Sequence, residues 1–124
     1  MKSRFSILSI VIAIAAAFPA SAAEDHKSQH GGIIVETKSA DLELVAKPDL
    51  ITIHVSDHGK PMKLISATGK VIVFNGNDKT EVPLAIVGDR LEAKGIFKVV
   101  AGTKVLTDVA INGKPPVAAR FTIK

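Results

Sequence analysis

The sequence predicts an all-β protein, an immunoglobulin-like antiparallel β-sandwich of about seven strands. Four runs alternate apolar and polar residues with a period of two, which is typical of strands with one buried face. These runs are residues 41–44, 51–56, 82–86 and 117–124. Between the runs, Asn75-Gly76 and Asn112-Gly113 indicate hairpins, because Asn and Gly accept the positive φ of tight turns. A small open barrel is the alternative architecture.

Residues 1–23 have the features of a signal peptide. Lys2 and Arg4 precede an apolar stretch over residues 5–18, and small residues follow it. The stretch is shorter than the ~20 residues that span a bilayer, so no membrane span is expected after cleavage. Cleavage is expected after Ala22 or after Ala23. The predicted location is the periplasm.

The remaining chain divides into a flexible arm, residues 24–32, and a sandwich domain, residues 33–124. The arm is polar, contains His26 and His30, and ends in two glycines. There is no cysteine, which excludes a disulfide framework. Without Lys2 and Arg4 the chain has 14 basic and 12 acidic residues, interspersed along its length. This distribution gives no support for nucleic-acid binding.

Catalysis is not expected. Ser56-Asp57-His58 contains the residue types of a catalytic triad. Triad members, however, come together from separate parts of a fold, and three consecutive residues cannot form the relay. The chain also lacks a cysteine nucleophile and a glycine-rich phosphate loop. The sequence therefore predicts a binding protein.

All four histidines fall in two short segments, 26–30 and 54–58. Residues four apart on a helix share one face, but on a straight strand His54 and His58 would be roughly 13 Å apart. The turn predicted at residues 57–61 could bring the two rings closer. The alternative interpretation is that both are ordinary exposed histidines.

Candidate metal ligands are these histidines and one methionine. Imidazole suits copper, zinc and nickel, and a thioether favours Cu(I). A blue-copper site is excluded because it needs a cysteine thiolate. For the methionine the alternative is ordinary packing in the core or at its rim. The candidate residues are His26, His30, His54, His58 and Met62.

The cleavage site decides whether the new N-terminus is itself a chelator. Cleavage after Ala23 would leave Glu24-Asp25-His26 at the start of the chain. A free amine, two backbone amide nitrogens and a third-position imidazole form the square-planar set that Cu(II) and Ni(II) prefer. Cleavage after Ala22 would move His26 to the fourth position and abolish this chelate.

Several motifs resemble a family of small exported bacterial proteins that accompany heavy-metal efflux systems of the resistance-nodulation-division type. These are His30-Gly31-Gly32, Glu43-Leu44-Val45-Ala46-Lys47-Pro48, Asp57-His58-Gly59-Lys60-Pro61, Arg90-Leu91-Glu92-Ala93-Lys94-Gly95 and Ala101-Gly102-Thr103-Lys104. The resemblance implies His30 and His58 as the leading ligands, whereas His54 stands where the family pattern has an aromatic residue. It also implies periplasmic components of such an efflux system as partners.

The sequence thus predicts a periplasmic accessory protein that binds a transition metal, copper before zinc or nickel. Its expected role is to buffer the metal or deliver it to efflux. The alternative is a β-sandwich that binds no metal and docks onto an envelope protein complex, through pairing at an exposed strand edge.

Overall fold

The computed structural model describes residues 28–124, which form two antiparallel β-sheets packed face to face. The strands are β1 (Ile33–Glu36), β2 (Asp41–Lys47), β3 (Leu50–Asp57), β4 (Lys60–Pro61), β5 (Ala67–Asn75), β6 (Asp78–Pro83), β7 (Ala85–Val87), β8 (Arg90–Lys94), β9 (Lys104–Ile111) and β10 (Val117–Thr122). No helix within residues 28–124 has the length and hydropathy needed to cross a membrane. The predicted signal peptide, residues 1–23, lies outside the described residues.

The strand order confirms the predicted immunoglobulin-like sandwich. Sheet A has the order β1-β2-β3-β8-β7, with β4 paired to the end of β3, and sheet B has the order β10-β9-β5-β6. Strands β2, β3, β8 and β7 correspond to the A-B-E-D sheet of such folds, and β10, β9, β5 and β6 to the G-F-C-C′ sheet. The described chain has ten strands where about seven were predicted. Edge strand β1 and the two-residue β4 are additions to the eight-stranded sandwich.

The core lies between the sheets and follows the predicted alternation in β2, β3 and β10. The prediction of one strand over residues 82–86 is wrong, because the chain leaves β6 of sheet B at Pro83 and enters β7 of sheet A at Ala85, and Ile86 is exposed. Leu42 and Leu44 of β2 and Ile51, Ile53 and Val55 of β3 are buried. Sheet B contributes Val71, Val73, Val105, Val109, Ile111, Ala119 and Phe121. The inward residues of one strand are two apart, so the residues between them face away from the core. These outward residues form the outer face of each sheet.

Both predicted hairpins form. Asn75-Gly76 lies at the turn between β5 and β6, and Asn112-Gly113 between β9 and β10. Asn112 has φ 50° and Gly113 has φ 77°, which fits the left-handed turn that this residue pair favours. The turn between β3 and β4 repeats this geometry with His58 at φ 50° and Gly59 at φ 83°.

Candidate metal centre

The candidate site lies on the outer face of sheet A. Glu43 of β2 and His54 of β3 are cross-strand partners. Their sequence neighbours Leu42, Leu44 and Ile53 point into the core, so Glu43 and His54 point outward. Even so, only 5% of Glu43 is exposed. A part of the chain outside the two sheets must therefore cover this carboxylate.

The cover is the segment that leads into β1. Glu43 Oε2 accepts hydrogen bonds from Ser28 Oγ at 2.9 Å, His30 N–H at 2.9 Å and Gly32 N–H at 2.8 Å. Oε1 accepts from Gln29 N–H at 3.1 Å and lies 3.1 Å from His30 Nδ1. Residues 28–32 thus wrap around one buried carboxylate, much as backbone N–H groups in a nest bind an anion.

Glycine permits this close approach. Gly31 has φ 76°, a conformation that costs a side-chain-bearing residue energy. A Cβ on Gly32 would collide with the backbone carbonyl oxygen of Leu44. The two glycines that end the predicted arm therefore have separate roles, because Gly31 turns the backbone and Gly32 lets it lie against β2.

The electrostatics of Glu43 follow from these contacts. Burial raises the pKa of the carboxyl, but hydrogen bonds from Gly32, from the His30 ring and backbone and from Ser28 outweigh it and lower the pKa to about 2. Glu43 is therefore ionised at neutral pH. A buried carboxylate with this many donors holds the segment in place and fixes the orientation of His30.

The Glu43 contact positions the His30 ring directly over His54. The ring centroids are 3.6 Å apart and the planes differ by 3°. Because an ionised carboxylate only accepts hydrogen bonds, the Nδ1 atom of His30 carries the proton. In the neutral ring the lone pair of His30 is then on Nε2, the nitrogen that does not contact Glu43. The side chain of His30 is 46% exposed, so the ring is partly open to solvent.

The surroundings of His54 favour its neutral form. Burial lowers the pKa of His54, and the nearby His30 and Arg90 lower it further, whereas Glu43 and Asp89 raise it. Arg90 is the partner of His54 on the other neighbouring strand, β8. The net effect is a lowered pKa, and a neutral imidazole is the form that stacks without repulsion and that binds metal ions.

The remaining candidate ligands are His58, Met62 and His26. His58 lies in the turn between β3 and β4, with 91% of its side chain exposed and its Nε2 3.5 Å from Asp57 Oδ1. The Gln29 side-chain amide donates to the Gly59 carbonyl at 2.8 Å, so this turn adjoins the segment that carries His30. Met62 is half-buried and packs against the core. His26 lies outside the described residues.

Across residues 28–124, no group of three or more His, Cys, Asp or Glu side chains is arranged to hold a metal ion. The structure instead brings together two imidazoles and one orienting carboxylate. Of the sequence-predicted residues it joins His30 to His54. It places His58 nearby, in the turn that Gln29 contacts.

Glu43 is the site residue that sequence reasoning missed. In the alternating run of residues 41–44 it fits an ordinary solvent-facing position. One sequence signal was the paired glycine at residues 31–32, since glycine often marks a close approach of two backbones. That signal does not say which strand is approached.

Comparison of the chain with protein-family models, with curated proteins and with solved structures finds no significant match.

Proposed function

We propose that this chain is an exported, periplasmic protein that binds a transition metal ion, copper before zinc or nickel, through His30 and His54. One observation carries the proposal. A buried carboxylate holds Nδ1 of an accessible histidine, stacked on a second histidine. Metal-bound histidines commonly donate their other ring N–H to a carboxylate, which fixes the tautomer and raises the basicity of the ligand nitrogen. Glu43 is placed for that role.

Ring geometry specifies how an ion would be captured. In-plane lone pairs of two parallel rings run side by side and do not converge on one point. One ion shared by both rings therefore requires a ring to turn. Glu43 anchors the His30 ring, so the rotation is assigned to His54. Binding should separate the stacked pair, and His58 in the adjoining turn and His26 upstream are the candidates to complete the coordination.

Copper is favoured by the general affinity order of nitrogen ligands, which peaks at Cu(II) among the divalent first-row metals. Met62 packs against the core, so a thioether ligand would require it to leave that packing. The proposed role is to buffer the ion or to deliver it to a heavy-metal efflux system. This role is supported by the resemblance of motifs such as His30-Gly31-Gly32 and by the signal-like features of residues 1–23.

The test is calorimetric titration with copper, zinc and nickel, monitored in parallel by histidine NMR signals. Glu43→Gln should weaken copper binding by about 10- to 100-fold, the range typical of lost orienting partners. His30→Ala and His54→Ala should weaken it at least as much, because each removes a proposed ligand. The variants His58→Ala and His26→Ala show which of these two histidines contributes to metal coordination. Equal metal binding by wild type and the His30→Ala/His54→Ala double variant would refute the proposal.

Location is tested separately. Mass spectrometry of protein recovered from the periplasm should give a chain beginning at Ala23 or at Glu24. Only the second form carries Glu24-Asp25-His26 at its N-terminus, so an additional copper site should accompany it and disappear when one residue is added in front. Full-length protein in the membrane fraction would contradict the proposed export.

A second candidate function is docking onto an envelope protein by strand pairing. It is favoured by β7, one of the two edge strands of sheet A, whose three residues Ala85–Val87 are all exposed and include two large apolar side chains. An unpaired edge of this kind is a template for another strand. Ile86→Lys should abolish such docking and leave metal binding unchanged.

A further inference from the structure

One end of the sandwich collects lysines that are scattered along the sequence. The turn between β2 and β3, the turn between β5 and β6 and the long loop from β8 to β9 meet there. Residues 47–50, 75–79 and 94–104 contain five lysines and two aspartates, all exposed. They are Lys47, Lys79, Lys94, Lys98, Lys104, Asp49 and Asp78. We refer to these three segments as the lysine end.

Specific contacts hold the three segments together. Phe97 N–H donates to the Pro48 carbonyl at 2.7 Å and Gly95 N–H to the Asp49 carbonyl at 3.3 Å. Thr103 Oγ donates to Asn75 Oδ1 at 2.9 Å. The charges of the lysine end therefore occupy one fixed surface.

Apolar side chains project from the same surface. Ile96 is 94% exposed and Val100 is 56% exposed, both in the loop from β8 to β9. The neighbouring Phe97 is buried in the core, so the backbone beside Ile96 is anchored and the side chain points outward. Phe74 lies exposed at the end of β5, with Lys79 and Lys104 as its cross-strand partners.

The opposite end of the sandwich differs in charge. Residues 36–41, 57–63, 88–90 and 112–116 contain five basic and four acidic residues. An exposed isoleucine, Ile65, lies near that end as well. Apolar exposure is thus common to both ends, and the excess of positive charge is particular to the lysine end.

We propose that the lysine end docks the protein onto the surface of an anionic lipid bilayer. Basic side chains near such a surface are attracted to it, and apolar side chains that enter the headgroup region add the free energy of their removal from water. Ile96 projects from the loop, whereas Phe74 and Val100 line one open depression together with Lys98. Lys79 and Lys104 flank Phe74 as its cross-strand partners. Exposed apolar side chains with lysines beside them fit an anionic lipid interface, where the charges meet the headgroups and the apolar groups enter the headgroup region. This docking does not depend on metal binding.

The test is co-sedimentation of the purified chain with vesicles of phosphatidylglycerol and phosphatidylcholine, against vesicles of phosphatidylcholine alone. All variants must share one N-terminus, verified by mass spectrometry, because residues 5–18 are apolar and would themselves bind lipid. Lys94→Gln/Lys98→Gln should weaken binding roughly 25-fold, since each lysine contributes about a fivefold factor at an anionic surface. The matched control Lys60→Gln/Lys63→Gln removes two lysines from the opposite end and should bind as wild type does.

The apolar contribution has its own matched pair. Ile96→Ser should weaken vesicle binding several-fold, and Ile65→Ser should not. Far-UV circular dichroism confirms that each variant is folded. Equal binding of the two lysine double variants, or equal binding to anionic and neutral vesicles, would overturn the proposal. The proposal would also be overturned if the chain failed to sediment with anionic vesicles and its lysine end cross-linked to an acidic protein instead.

Discussion

The outer faces of the two sheets each carry a glutamate, and the two carboxylates have opposite environments. On sheet A, Glu43 is buried beneath residues 28–32 and accepts hydrogen bonds from four backbone or hydroxyl donors as well as from the His30 ring. On sheet B, Glu81 is exposed and forms an ion pair with the equally exposed Lys70 at 2.9 Å. The pKa is nevertheless lowered in both carboxyl groups. That of Glu81 is lowered by its hydrogen bond and charge interaction with Lys70.

The difference shows that the number of fixed donors determines what a carboxylate contributes. Water competes with Lys70 for Glu81, and both side chains are flexible, so the pair is weakly stabilising. Water has little access to Glu43, and its donors are mostly backbone groups already fixed by the chain. Only such a carboxylate can position a neighbouring ligand, as the metal proposal requires.

The largest expected effect is that of Glu43→Gln in the metal-free protein. The amide replaces one oxygen with an NH₂ group, which cannot accept the two or three hydrogen bonds that this oxygen receives. The loss of hydrogen bonds to a charged group should cost about 3 kcal/mol in the free energy of unfolding. Denaturant titration measures it, with Glu81→Gln as the matched control. Equal stabilities for the two variants would show that residues 28–32 are not held by Glu43.

A pH titration tests the lowered pKa of Glu43. Because the pKa of Glu43 is lowered to about 2 in the folded protein, the unfolded chain binds the proton first as the pH falls. The stabilisation is therefore complete above ~4.3, the ordinary pKa of glutamate, and is lost as the pH falls towards 2. In metal-free protein the difference in stability between wild type and Glu43→Gln should shrink across this window. A constant difference would contradict the lowered pKa.

Gly32→Ala should have the next largest effect, about 2 kcal/mol, because its Cβ would overlap the Leu44 carbonyl and push residues 28–32 off β2. Gly31 provides a control of another kind, since its left-handed φ is tolerated by asparagine. Gly31→Asn should retain both stability and the stacked histidine signals in NMR spectra. Gly32→Asn should lose both. Retention of the stack in Gly32→Ala would show that the close approach is dispensable.

The sequence was sufficient to predict the sandwich, because alternation and turn residues are local signals. Ile53 and Phe121 are buried where the alternation places them, and Asn112-Gly113 forms the predicted hairpin. Alternation also shows that Glu43 and His54 leave the core. It cannot show that Glu43 is covered, because the covering donors lie 11 to 15 residues upstream and only the fold brings them close.

The clustering of charge at the lysine end could not be predicted from the sequence either. Lys47, Lys79 and Lys98 belong to different connections, and along the sequence the charges are interspersed with no basic block. Their assembly depends on which turns share an end of the sandwich, and this follows from strand order and not from any local pattern. Reasoning from sequence named individual candidate ligands such as His30, but predicted neither the stacked pair nor the charged surface.

The smallest effect is expected for the ion pair on sheet B. Lys70→Ala and Glu81→Ala should each leave the denaturation midpoint within experimental error, because both side chains are exposed and salt screens their attraction. Asp108 also interacts with Lys70, so removal of Glu81 leaves the lysine near another carboxylate. A double-mutant cycle at low and high salt is the sensitive measurement. If its coupling free energy matched the cost of Glu43→Gln and persisted at high salt, flexible exposed partners would be as effective as fixed backbone donors. The contrast between the two sheet faces would then not explain why Glu43 alone can orient a histidine.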